Sequence, residues 1–233
     1  IRAGRQRIKL DNDRFVGNVG WRQNEQTYDG ASLEWTRDRW NLFYSYVGHV
    51  NRIFESDVPA GDHDHDTHIV NASFKLADGH ALTGYLYNIE DEDQQAFSSR
   101  TFGLRYTGST TFGPEMPLNW LAEFAHQVDA GDNAIDYDAN YFHARVDLAL
   151  DPYFKPVVGF ERLEGARDTG QAFRTPLATL HAFNGWADRF LATPNRGLDD
   201  FYAGFTGSQG RFGWNVTWHR FRTETGSTTL GDE

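Results

Sequence analysis

The chain has 233 residues, no cysteine, 15% aromatic residues and a formal net charge of −11. That length suits one large β domain or a piece of a bigger one, and the lack of cysteine excludes disulfides and thiol chemistry. The acidic balance argues against a general affinity for nucleic acid or anionic lipid. No run approaches the ~18 apolar residues of a membrane helix. The mean hydropathy of −0.63 still permits a membrane barrel, because alternation averages each strand towards polar. Seven Trp, ten Tyr and eighteen Phe beside 23 Gly suit a barrel with aromatic girdles.

In chain order, candidate strands run through Ala3–Lys9, Tyr28–Arg37, Trp40–Ile53, His68–Ala77, Ala81–Glu90 and Arg100–Thr107. They continue through Leu118–Val128, Tyr141–Leu150, Phe154–Leu163, Asp200–Gly207 and Arg211–Thr223. Most approach the ~9–11 residues of a tilted strand crossing a bilayer. Ala31, Leu33 and Trp35 oppose Ser32, Glu34 and Thr36; Phe102, Leu104 and Tyr106 oppose Thr101, Gly103 and Arg105. The alternation is cleanest where Phe142, Ala144, Val146, Leu148 and Leu150 share one face and His143, Arg145 and Asp147 the other. In Phe212–His219, the apolar face is Phe212, Trp214, Val216 and Trp218. Ala81–Glu90 is ambiguous, since Leu82/Leu86 and Tyr85/Tyr87 are alternative outward faces.

Short turns at Asp38-Arg39, Asp78-Gly79, Asp151-Pro152 and Ser208-Gln209-Gly210, with a medium one around Phe112-Gly113-Pro114, alternate with long polar connections. The long ones lie near 10–26, 54–67, 91–99, 129–140 and 164–199. Such a rhythm belongs to bacterial barrels with short periplasmic turns and long outer loops. The expected fold is therefore all-β, an antiparallel up-and-down transmembrane β-barrel forming a single domain over 1–233. First and last strands would both rise from the periplasm, leaving Thr228–Glu233 outside the cell. An odd strand count with an outward tail reads as an incomplete fragment of a larger barrel.

Several stretches resemble the alginate export family of outer-membrane porins. Gly4-Arg5-Gln6, Arg14-Phe15-Val16-Gly17, Trp21-Arg22-Gln23 and Tyr28-Asp29-Gly30 form one similar block. Phe173-Arg174-Thr175-Pro176-Leu177, His181, Phe183-Asn184-Gly185-Trp186-Ala187-Asp188 and Gly197-Leu198-Asp199-Asp200 form another. The resemblance implies a monomeric barrel of about eighteen strands that passes an anionic uronate polysaccharide through an arginine-rich lumen.

Lumen-facing cations are the first functional candidates: Arg5, Arg7, Lys75, Arg105, Arg145 and Lys155, with Lys9 beside the opening pair. Guanidinium offers paired donors to a planar carboxylate. Glu34, Glu123, Asp147 and Glu161 are expected on the same faces, so a ladder of wall ion pairs competes with a substrate path. In the longest connection, Pro176 to Phe190 is too apolar to lie free in water. Either it enters the pore, with His181, Trp186 and Asp188 as a constriction, or it packs over the rim. Asp62, His63, Asp64 and His65 are weak metal candidates, matching neither an EF-hand nor a structural zinc spacing. A solvated loop is the simpler reading there. Glu90–Asp93 and Asp129–Asp138 add acidic groups to the same outer rim, where lipopolysaccharide would be a partner.

Catalytic signatures are missing: there is no Gly-x-Ser-x-Gly elbow, no His-Glu-x-x-His and no phosphate loop. The expected function is a Gram-negative outer-membrane porin or exporter for small or polymeric anionic solutes, not an enzyme and needing no cofactor. A soluble carbohydrate-binding β-sandwich and a structural barrel without transport are the alternatives.

Overall fold

The computed structural model describes residues 1–54, 56–113, 116–165 and 170–225, and the backbone of 229–232. Twelve strands form one sheet in strict sequence order. They are β1 Arg2–Gln6, β2 Thr27–Arg37, β3 Trp40–Asn51, β4 His63–Ala77, β5 His80–Ile89 and β6 Ser99–Phe112. Then come β7 Met116–Asp129, β8 Asp138–Leu148, β9 Lys155–Leu163, β10 Leu198–Gln209, β11 Phe212–Arg222 and β12 Thr229–Asp232. Every neighbouring pair is antiparallel. Successive connections therefore fall at alternate ends of the sheet, the short turns at one and the long segments at the other. Among the described residues β1 and β12 are the sheet's two edges. Among the described residues this single sheet has no second sheet packed on it as in a sandwich.

The tail expected to hang free is the twelfth strand, pairing Arg220 with Asp232 and Phe221 with Gly231. Thr228 and Glu233 lie outside the described residues, as does Pro114 of the medium turn. The expected odd count is therefore not found: among the described residues the strands number twelve. The expected loop near 54–67 is also shorter, because β4 begins at His63 and its first residues pair with β3 and stand beside the β5–β6 connection.

Alternation decides the two faces. Leu33, Trp35, Leu42, Tyr44, Val70, Phe102, Leu104, Phe124, Phe142, Val146 and Val158 are exposed on one face. Ser45, Thr67, Thr101, Glu123, Gln127, His143 and Glu161 are buried on the other. An apolar exposed face and a polar covered one invert the usual soluble arrangement and match a wall facing lipid. At the short-turn end, Trp40 packs on Phe74 and Phe154 on Phe205, with ring centroids 4.6 and 5.1 Å apart. These rings suit the interfacial belt of a barrel. At the long-loop end the same outer face turns ionic, with Arg162 held by both oxygens of Asp199 and His49 on Asp64.

The covered face is wrapped around two connections. Gly17 in residues 7–26 receives the Tyr28 hydroxyl of β2, while Arg14 reaches Glu161 of β9. On a flat sheet seven spacings of about 4.8 Å would separate those strands by about 34 Å. The backbone from 14 to 17 spans at most about 11 Å, so only fully outstretched side chains would bridge that gap, whereas Phe15 between them packs on Tyr85 of β5 and Tyr141 of β8 at once. The sheet is curled around this segment. The apolar core sits inside the curl: Phe15, Val16, Phe173 and Leu177 from the connections meet Tyr28, Ile69, Tyr87, Tyr141 and Leu163 from the wall. Each fully buried large side chain contributes about 1.5–3 kcal/mol, enough to draw both connections inward. The interior therefore resolves the ambiguity of Ala81–Glu90: Tyr85 and Tyr87 point inward against Phe15, with centroids 5.3 and 6.0 Å away.

Candidate functional site

Arg14 is 2% exposed and is the hub of the interior. Its guanidinium donates to Glu161 Oε1 and Oε2 at 2.7 and 3.2 Å, to Thr175 Oγ1 at 3.2 Å and to Asn184 Oδ1 at 3.2 Å. A planar fork of donors is what lets one cation serve a wall carboxylate and a distant loop at once. Beside it the two connections pair as backbone: Val16 bridges Leu177, and Gly17 N–H donates to Leu177 O at 2.9 Å. A Cβ at Gly17 would lie 2.3 Å from Thr179 Oγ1, so this contact requires glycine. The two sequence blocks that carry the family resemblance, far apart in the chain, thus dock on each other inside the curl.

Two wall carboxylates organise the rest. Glu123 on β7 accepts from Arg105 Nη1 at 2.7 Å and from the Tyr85 hydroxyl at 2.9 Å. Glu161 on β9 accepts from Arg14, from the Tyr141 hydroxyl at 2.7 Å and from Asn184 Nδ2 at 2.6 Å. Such saturation is what keeps a charge tolerable when buried. His143 Nε2 and the Tyr202 hydroxyl are 2.8 Å apart, and His219 Nδ1 lies 3.0 Å from both Asp200 oxygens.

Between this network and the inward connections lies an open hollow of about 1170 Å³. Arg7, Lys9, Arg22 and Arg145 line it together with the carboxylates of Asp13, Glu25, Glu161 and Asp200 and with Trp21, His181 and Trp186; Arg7 pairs with Glu25 and Lys9 with Asp13 at 3.2 Å. Trp21 stacks on His181 at 4.1 Å, and His181 meets Trp186 edge-on at 4.6 Å. His181 Nδ1 is 2.7 Å from Asp188 Oδ1, which holds the imidazole between the two indoles. Arg22 lies over the Trp21 ring at 4.3 Å. Trp21 is thus flanked by His181 and Arg22, and Trp186, 81% exposed, is the indole left open to the hollow.

The lysines and arginines singled out from the sequence separate into distinct groups. Arg5 is misassigned: it pairs with Asp29, one residue out of phase with inward Tyr28, and its bridge to that carboxylate at 2.8 Å sits on the outer ionic rim. Neighbouring Arg7 lies beyond β1, where the chain has left the strand and turns into the hollow beside Glu25. Lys75 is on the inner phase of β4 but near the short-turn end, bridging Asp78 at 2.6 Å. Arg105 is buried in its pair with Glu123 and also donates to Asn12 Oδ1 at 3.1 Å. Arg145 is half-exposed in the hollow, 3.3 Å from Asp147. Lys155 opposite Thr206 shares the inner phase of Glu161.

Of the weak metal candidates, His63 and His65 face inward and are buried, whereas Asp64 faces outward on His49 and Asp62 accepts from Arg52 N–H. Asp91, read from sequence as rim, is buried beside both histidines. Burial pulls the nearby Arg52 guanidinium below its ordinary value, against the opposing pull of Asp91. Arg14, Asn184 and Asp91 were not selected as site residues from the sequence. Arg14 and Asn184 did stand in the resemblance blocks, which was the available signal.

The profile of the alginate export family matches residues 1–175. The chain belongs to the alginate export family. No curated protein matches it. Among solved structures, Acinetobacter baumannii OccAB4 superposes with a TM-score of 0.72 at 14% identity, covering 97% of this chain and 57% of that one. Pseudomonas aeruginosa OccK7 (OpdD) gives 0.71 at 15% identity, covering 94% and 57%. Pseudomonas aeruginosa OccD3 (OpdP) gives 0.67 at 16% identity, covering 94% and 54%. These are outer-membrane porins, and the chain spans little more than half of their length. The sheet is thus part of a porin-type barrel wall, its covered face is the lumen side, and the family member resides in the bacterial outer membrane.

Proposed function

We propose that the barrel containing these strands is a passive, monomeric channel for anionic solutes, with uronate-like carbohydrate as the favoured cargo. One observation carries the reading: Arg7, Lys9, Arg22 and Arg145 share a hollow with Trp21 and Trp186. Cations attract carboxylates into a hydrated path, and the exposed indole of Trp186 suits the flat apolar side of a sugar ring. The net charge of −11 does not oppose this, because charges at the constriction govern selectivity more than the total does. No step in such passage needs a catalytic group or a cofactor.

The test is the reversal potential of the intact protein in a planar bilayer under a salt gradient, followed by addition of oligouronate. The expected result is anion preference, with block by oligouronate and not by a neutral oligosaccharide of equal length. Cation preference with no block would sink the anionic reading. A closed barrel with no conductance would favour a structural role.

A further inference from the structure

We propose that His63, His65 and Asp91 form a binding site for one imidazole-preferring divalent cation of the Zn²⁺ class at the long-loop end of the lumen wall. His63 and His65 are two apart on β4, so strand geometry puts both rings on the same face. Asp91 arrives from the end of β5, where it bridges His65 antiparallel. All three are buried, and their ligand atoms lie within 4.8 Å of one another.

Hydrogen-bond accounting shows what the cluster lacks. His63 Nε2 lies 2.9 Å from Pro59 O, which can only accept, so that nitrogen carries the hydrogen. As an imidazolium the ring also donates Nδ1–H to Asp91 Oδ2 at 2.8 Å; in the neutral ring Nδ1 is a lone pair aimed at that carboxylate, and a cation can take the proton's place. On His65, Nδ1 is 3.1 Å from Thr67 Oγ1, and Nε2 is buried with no hydrogen-bond partner, 3.8 Å from the same Asp91 oxygen. With His63 neutral and the His65 hydrogen on Nδ1 towards Thr67, two imidazole lone pairs and a carboxylate converge on one point. A divalent cation satisfies all three at once. The outer contacts are those of a prepared site: Pro59 orients His63, and Asp91 Oδ1 is fixed by the N–H groups of Asp93 and Gln94 at 3.2 and 2.8 Å. Two nitrogen ligands select Zn²⁺-like ions over Ca²⁺ or Mg²⁺. A bound ion clamps the start of β4 to the β5–β6 connection. Arg52, whose charge also acts on Asp91, weakens the site without abolishing it.

Cobalt(II) chloride titrated into the intact, refolded protein in detergent tests this by visible absorbance, with Zn²⁺ as competitor. One equivalent should give d–d bands of a four- or five-coordinate nitrogen-containing site, displaced by Zn²⁺ and not by Ca²⁺. His65→Ala should weaken binding by at least about a hundredfold, Asp64→Asn should leave it unchanged, and Arg52→Gln should tighten it several-fold. Failure of the wild type to bind one equivalent overturns the proposal even if the variants misfold. Equal binding by wild type and a folded His65→Ala protein, or binding lost in Asp64→Asn, overturns it as well.

Discussion

At the scale of single residues, Arg14 is the group on which the interior depends most. Removing it leaves Glu161 buried with one fewer cation, a loss of roughly 3–5 kcal/mol for a broken buried pair. Arg14→Leu should therefore lower the urea midpoint in detergent. Arg14→Leu with Glu161→Gln should recover more than half of that loss, because Gln retains an acceptor for Tyr141 and carries no charge. Equal midpoints for wild type and Arg14→Leu would show that the pair is not a structural anchor. A second contrast separates two arginines that look alike in sequence. Arg105 is neutralised by Glu123 in a buried pair, whereas Arg145 is half-exposed to the hollow. In the bilayer, Arg145→Gln and Arg7→Gln should each move the reversal potential towards cations, while Arg105→Gln should chiefly reduce stability. A larger shift from Arg105 than from Arg145 would reverse the assignment. Alternation could not distinguish them, since it reports phase and not partner.

Among elements, the strands were readable wherever one face is apolar and the other polar, as in Phe142–Leu148. The rule failed at β5 because Tyr85 and Tyr87 line an interior that is itself apolar there, being filled by Phe15 and Phe173. Arg5 was misplaced for a related reason: five residues of β1 carry no apolar stripe, and only pairing with Asp29 fixes their phase. Likewise the His-rich stretch looked like a loop because its composition is polar, yet His63, His65 and Thr67 alternate inward with Asp64 and Asp66 outward. The inward seam between connections is testable through Gly17. Gly17→Val places side-chain atoms against Thr179 and Asp13, an overpacking cost of about 1–3 kcal/mol. Limited proteolysis should then cut residues 7–26 several-fold faster while heat-modifiable gel migration of the barrel stays unchanged. Cleavage at the wild-type rate would mean that the seam tolerates separation.

For the whole molecule, the central claim is that residues 7–26 and much of 164–197 fold inside the curled wall and narrow the path through it. The sequence anticipated a barrel wall and left open whether the long connection enters; its apolar residues demanded packing, but nothing local said against which surface. The decisive surface is the lumen face of distant strands, which only closure of the sheet brings near. Single-channel conductance of the intact protein, compared with a variant in which residues 176–190 are replaced by a short Gly-Ser linker, tests this directly. The variant should stay folded and heat-modifiable, with conductance several-fold higher and a weaker anion preference, because Trp186 and His181 leave the hollow. Unchanged conductance and selectivity in a folded variant would contradict it, placing the segment outside the path.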